Sequence, residues 1–362
     1  IEHALVNGNP HCNDTSSNKP NYDCITHMNK SGIMMNATTG LNIVTYYTLG
    51  IKSDLQKMLS FIIETTINPE NINEHVIEKE KKAVIDELLQ NSNNSEINMY
   101  FTLFQKFYSY YGLNNFFNYK KQIDNLKHLN ANKLKAFYKK HYNNIIFVVS
   151  GKFNSEEKQN LLQLFRRSLS NQKENYSQQL TKPSHCFRFK KEAYYLHNPN
   201  LKNTTIMIAF PSLLENNNHN AILLTFITKY VQNLGMHKLR SQEKLIYGLK
   251  VEPSMNYCGT SIFITLNATN ENARKTLDKF VEMIKESFSY INKEFIDGIK
   301  KSYVYGTNKQ DVNDSIAYYE NLYINKLFNR CNDKICDIDE HTNNLMNVKE
   351  SEVMKLMKIV FN

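Results

Sequence analysis

NANKLKAFYKKHYNNIIFVVSG, residues 130–151, and VKESEVMKLMKIVF, residues 348–361, are the stretches that decide the fold class. In the first, Asn130–Tyr142 reads as a helix that runs into Ile145–Ser150, a β-branched and aromatic run read as a strand and stopped at Gly151. The second repeats the theme, a helix leading into an apolar run, which raises the expectation of a further strand beyond it. Working outward, Leu41–Leu49 reads as a strand, with Ser53–Ile67, Asn73–Asn91 and 155–168 as helices. In the later half Thr204–Phe210 and Ser261–Leu266 read as strands, and Ala221–Leu234 and Ala273–Ile291 as helices. The same alternation in both halves predicts an α+β protein of two similar domains, each a mixed, largely antiparallel sheet packed with helices. The polar, unpatterned stretch 169–185 is the expected linker, dividing residues 1–168 from 186–362.

Composition narrows the class. The 362 residues are 41% apolar, enough for real cores, and seven Pro and 11 Gly exclude collagen-like or Pro-rich architecture. The longest apolar runs, such as Ile145–Val149, are far short of the ~18–20 residues needed to cross a bilayer. The net charge of +9 reads as a solvated surface and not as nucleic-acid binding, because Lys is mixed with Glu, as in Glu78-Lys79-Glu80-Lys81-Lys82. The abundance of Asn reads as compositional bias. Six Cys in a chain of this length are not a disulfide scaffold, so reduced thiols in an intracellular, reducing compartment are expected.

Candidate chemistry begins with Glu2 and His3, adjacent in a short helical segment that closes at Gly8. Glu80 and Glu87 lie seven apart, two turns along one helical face, and flank the apolar Ala83-Val84-Ile85. Two carboxylates beside a buried stripe can converge on a metal. The competing account is a pair of surface charges matched to Lys at i+3 or i+4. Six other histidines, His11, His27, His128, His141, His197 and His219, show no ligand spacing among themselves. The aromatic run Phe107–Tyr119 is expected to serve in packing.

Taken in order, these segments resemble the insulinase/pitrilysin metallopeptidases. Ile1 to Gly8 looks like the tail of the inverted zinc motif H-x-x-E-H followed by an apolar pair and Gly. Gly32 through Asn36-Ala37-Thr38-Thr39 resembles the G-x-x-x-N-A-x-T segment, and Glu78-Lys79-Glu80, Ala83-Val84 and Glu87 resemble the E-R-E-x-x-x-V-x-x-E helix. Phe137-Tyr138, Tyr142 and Phe147–Gly151 are similar to its F-Y-x-x-x-Y…V-V-x-G passage, and Leu239-Arg240 through Leu245 and Tyr247 to its L-R-E-x-x-x-L-x-Y segment. Two departures stand out. The first zinc His of the motif would lie two positions before Ile1, so a fragment lacking its N-terminal strands is expected. The spacing from His3 to Glu87 is also longer than the family's, with the excess assigned to the polar loop 9–22.

The resemblance implies a zinc-dependent endopeptidase cleaving peptides or unfolded segments inside a closed chamber. It makes His3 and Glu87 zinc ligands, Glu2 the general base, Glu80 a support of the site, and Arg240 and Tyr247 a grip on the substrate backbone and the developing oxyanion. Asn36 and Ala37 would offer a strand edge to the peptide. A second insulinase-like half or a copy of the chain would complete the site, and a mitochondrial or plastid location is compatible. The alternative is a non-catalytic, structural or regulatory subunit of a processing or respiratory complex.

Overall fold

The computed structural model describes residues 1–12, 24–40, 43–108, 118–142, 145–170, 193, 201–212, 214, 217–256, 259–308 and 343–361. The chain divides into two compact units, Ile1–Asn91 with Tyr119–Gln179, and Ser92–Asn118 with Leu180–Asn362. The division falls near the expected linker, but the segment 92–118 groups with the second unit. The reason is aromatic: Phe104 and Phe107, on the helix Ser95–Phe107, meet Phe263 edge-on at centroid distances of 4.7 and 5.3 Å. Most of the run Phe107–Tyr119 lies outside the described residues, as do His197 and four of the six Cys.

The first unit holds α1 (Glu2–Asn7), a 3-10 turn (Pro10–Cys12), α2 (Cys24–Lys30), β1 (Met34–Thr39), β2 (Val44–Leu49), α3 (Leu55–Ile67), a second 3-10 turn (Pro69–Asn71) and α4 (Glu74–Asn93). After α5 (Ser95–Phe107) come α6 (Tyr119–Lys127), α7 (Ala131–His141) and α8 (Ser155–Leu169). β1 and β2 form an antiparallel pair with Met34 opposite Leu49 and Thr39 opposite Val44. A helix as short as α1 is not stable alone. It is held because its residues are split between two cores: Val6 packs with Met28, Ile33, Met35, Met58 and Phe61, while Ala4 and Leu5 pack with Ile72, Val76, Ile77 and Tyr138.

In the second unit β3 (Asn203–Pro211), β4 (Ile246–Asn256) and β5 (Gly259–Thr269) make an antiparallel sheet in the order β3-β5-β4. Its helices are α9 (Asn218–Gly235), a π-helical continuation (Met236–Gln242), α10 (Ala273–Glu286), α11 (Lys293–Asn308) and α12 (Glu350–Phe361). Buried side chains of α9, among them Leu224, Ile227 and Val231, share one core with Leu249, Val251, Ile262, Ile264 and Leu266 of the sheet. α9 comes so close to β4 that a Cβ on Gly235 would lie 2.3 Å from Leu249 Cδ2. Among the described residues, no helix is long and apolar enough to cross a membrane.

Three expectations are corrected. Ile145–Ser150 is not a strand. Its side chains do alternate, with Phe147 stacked on Phe165 at 4.8 Å while Ile146 and Val148 stay half-exposed, but no described strand pairs with it. The apolar run closing the chain belongs to α12, where Val353, Leu356, Met357 and Val360 are buried at helical spacing. Cys12 and Cys24 are joined in a disulfide with Cα atoms 5.0 Å apart, which overturns the expectation of reduced thiols there. Their separation of 12 residues carries no recognisable spacing; the fold brings them together in the core shared by α1, α2 and α3.

The asparagines, too, are more than bias. Asn94, Asn130, Asn154 and Asn217 each cap a helix by accepting backbone N–H groups, Asn154 within a full capping box with Glu157. Replacing Cys24 by Ser is expected to lower the unfolding free energy by about 2–4 kcal/mol, measured by urea denaturation without reductant. An unchanged midpoint would contradict the cross-link's contribution.

Candidate active site

α1 presents Glu2 and His3 at its first turn, half-exposed, because the next three residues are all buried. α4 buries Val76, Ile77 and Glu80. Glu80 stands one turn beyond Val76, so the apolar face that seats α1 delivers a carboxylate to its N-terminal end. His3 Nδ1 lies 2.9 Å from Glu80 Oε2, and Glu80 is only 8% exposed. The hydrogen bond to Glu80 raises the His3 pKa against the opposing effect of burial, and the charges of Glu80, Glu2 and Glu87 add to the rise. With Nδ1–H donated to Glu80, the neutral ring keeps its lone pair on Nε2.

Surface pairing with lysine therefore fails as an account of Glu80, though it does describe Glu78, paired with Lys81 at 2.5 Å. The buried face of α4 ends at Glu80. Ala83 and Glu87 are exposed, and Val84 and Ile85 are only partly covered, so the expected buried stripe between the two carboxylates does not form. Among the described residues, no three His, Cys, Asp or Glu side chains are grouped so as to hold a metal ion. Two donors fit the chemistry of zinc, an imidazole whose second nitrogen is held by a carboxylate and a further carboxylate, Glu87, whose charge reaches that imidazole.

Glu2 accepts a hydrogen bond from the Thr39 hydroxyl at the end of β1. Close by, the Tyr46 and Tyr142 hydroxyls lie 3.5 Å apart. Burial pushes both phenols up, and the negative charge of Glu2 adds to it. Thr39, Tyr46 and Tyr142 are the neighbours of Glu2 that sequence reasoning missed as site residues. Spacing carries no signal for them, since strand pairing and the end of α7 bring them in. Asn36 and Ala37 lie in β1 opposite Tyr47 and Tyr46; Asn36 is exposed, and its Oδ1 accepts the Ala37 N–H at 2.8 Å. On its other edge β1 has no partner strand among the described residues.

Arg240 and Tyr247, seven positions apart, belong to the second unit, one on the π-helix and the other in β4, the strand that follows it. Arg240 is exposed on the π-helix, a rare form frequent at functional sites. The chain then turns through Lys244 in the left-handed region, at φ 55°. The register of β4 on β5 shifts between Ile246 and Gly248, and Tyr247, within that irregularity, is 61% exposed. Buried Leu239, Leu245 and Ile246 anchor the turn on both sides.

The family model described as the peptidase M16 inactive domain matches residues 128–303, a span that includes Arg240 and Tyr247 but not Glu2, His3, Glu80 or Glu87. No curated protein matches the chain. Among solved structures, a protease from Helicobacter pylori is similar with a TM-score of 0.78 at 17% identity, over 99% of this chain and 86% of that one. The first half of the periplasmic protease PqqL from Escherichia coli is similar with a TM-score of 0.64 at 15% identity, over 99% of this chain and 79% of that one. Against the PqqL protease itself the TM-score is 0.66 at 15% identity, and all of this chain covers 41% of that one. The chain therefore has the fold of M16-like proteases and contains, at residues 128–303, a region that matches the peptidase M16 inactive domain.

Proposed function

We propose that this chain is the zinc-binding half of an M16-type endopeptidase that cleaves extended or unfolded peptides within a closed chamber. The observation that carries this reading is the His3–Glu80 pair, a carboxylate-held imidazole, with Glu2 beside it on the same short helix. His3, through Nε2, and Glu87 would hold the metal, together with the upstream His that the resemblance implies. Bound zinc supplies Lewis acidity and brings the pKa of a water down to about 7. Glu2, one residue from His3 and steadied by Thr39, takes the proton of the attacking water. Glu80 fixes the tautomer and orientation of His3. Asn36 and Ala37 receive the peptide as an added strand along β1. Arg240 and Tyr247, thrown outward by the π-helix and the bulge, hold substrate backbone and developing charge. A second M16-like half or a second copy completes the enclosure; the chain's similarity to the first half of PqqL supports such a partner.

A second reading has its own support: the matched family model is of the inactive domain, and no three-ligand group is found among the described residues. On that reading the chain is a non-catalytic structural or regulatory subunit. Elemental analysis of the full-length protein and cleavage of an internally quenched, unstructured peptide separate the two. The peptidase reading expects about one zinc per chain and loss of cleavage on chelation. A protein with neither zinc nor cleavage belongs to the second reading.

Three substitutions sharpen the test. Glu2→Gln is expected to keep its zinc and to lose about 10²–10⁴-fold in kcat; unchanged cleavage rejects Glu2 as the base. Arg240→Ala should lower turnover while zinc content stays intact, and zinc loss with normal turnover would contradict its role. Protonated His3 cannot bind metal, and Glu80 raises the pH at which that protonation occurs. Zinc affinity should therefore fall on acidification already above the ordinary histidine range, and Glu80→Gln should move that fall to lower pH. Metal titrations across pH check the direction.

A further inference from the structure

We infer that Asn71 is a positioning residue for the His3–Glu80 pair, clamping α1 to the entry of α4. The inference rests on the functional reading above only for what the pair is used for; the clamp itself is a matter of geometry. Asn71 is 2% exposed, and its side-chain amide donates to Leu5 O at 3.4 Å and to Glu64 O at 3.0 Å. The last carbonyls of a helix have no partner within it. In α1, Ala4 O and Val6 O receive the N–H groups of Gly8 and Asn9, and Leu5 O receives Asn71. The two backbones also touch: a Cβ on Gly8 would lie 1.9 Å from Asn71 O, a place no side chain can occupy.

The same residue ends the 3-10 turn that leads into α4. Asn71 O accepts the Asn73 N–H at 3.1 Å, and Asn73 Oδ1 accepts the Val76 N–H at 3.0 Å. From Glu74 the helix then runs six residues to Glu80, about 9 Å at ~1.5 Å per residue. Ala4 and Leu5 pack on Ile72, Val76 and Ile77 between these points. α1 is thus attached to α4 at two places, by Asn71 near its C-terminal end and by His3–Glu80 near its N-terminal end. If Asn71 lets go, α1 is held against α4 only by the packing of Ala4 and Leu5 and by the half-exposed His3 itself. Asn9 supplies a natural control. It is buried as well, but its amide donates to Phe61 O at 3.1 Å and Thr65 Oγ1 at 2.7 Å, tying α1 to α3 and not to α4.

A double-mutant cycle on the full chain decides the matter, because independent sites give additive shifts and coupled ones do not. The shift in urea midpoint caused by Glu80→Gln is measured in the wild-type, Asn71→Ala and Asn9→Ala backgrounds. A shift cut by half or more in Asn71→Ala, and unchanged in Asn9→Ala, is expected. Equal shifts in all three overturn the role, as does a loss in both variants alike. Should Asn71→Ala not fold, Asn71→Ser, too short to reach Leu5 O, takes its place. In a second arm, Asn71→Ala should weaken zinc affinity about 10-fold or more relative to Asn9→Ala. A wild-type protein that binds no zinc would sink the peptidase reading, while the metal-free cycle would still decide on the clamp.

Discussion

Glu80 is a carboxylate on the packed face of a helix, and burying one is costly unless it is paired and hydrogen-bonded. Its described partner is the His3 ring at 2.9 Å, and that requirement constrains much of the first unit. α4 must present Glu80 toward α1, so Val76 and Ile77 face the same way and receive Ala4 and Leu5. Tyr138 of α7 joins that core and donates its hydroxyl to Thr66 O of α3 at 2.7 Å. The result places an imidazole with one nitrogen held, a half-exposed carboxylate next to it and two part-buried phenols in one neighbourhood. That concentration of titratable groups is what makes this neighbourhood the candidate site.

Among the described residues of the second unit, irregular backbone gathers in one turn. Within twelve residues the chain passes from a π-helix through a left-handed Lys244 to a break in strand register. A non-glycine residue in that region of φ costs on the order of 1–3 kcal/mol and persists only where packing on both sides enforces it. Leu239, Leu245 and Ile246 provide that packing, and Arg240 and Tyr247 are among the side chains left exposed, together with Ser241, Gln242, Glu243 and Lys244. The regular elements around them, three antiparallel strands under α9 and α10, are the rigid frame such a turn needs.

Composition misled in two respects, for the same reason. Asparagine frequency alone carries no information on whether a given Asn caps a helix or floats in a loop; Asn154 is distinguished by Glu157 three residues on, and Asn71 by nothing local. Cysteine counting treated the chain as a whole, whereas a disulfide is a local event between two residues whose Cα atoms are brought within 5.0 Å by the packing of three helices. Nor could the spacing of Glu80 and Glu87 reveal that one would be buried and the other exposed. Both lie on the same helix face, but the elements that cover that face stop short of the second.

Periodicity was sufficient to locate α3, α4, α7, α8, α9 and the strand β5 as elements, but not their burial: α8 buries none of its residues, and the buried face of α4 ends at Glu80. The order of short motifs likewise pointed to the M16-like fold that the structure has, and it is the source of the candidates Glu2, His3, Asn36, Ala37, Glu80, Glu87, Arg240 and Tyr247. Tertiary structure alone decided which nitrogen of His3 is held and by whom, that Thr39 reaches Glu2, that Ile145–Ser150 has no strand beside it among the described residues, and that Asn71 joins two helices. Each of these depends on atoms far apart in the chain, and local propensity has no access to a partner that only packing can supply.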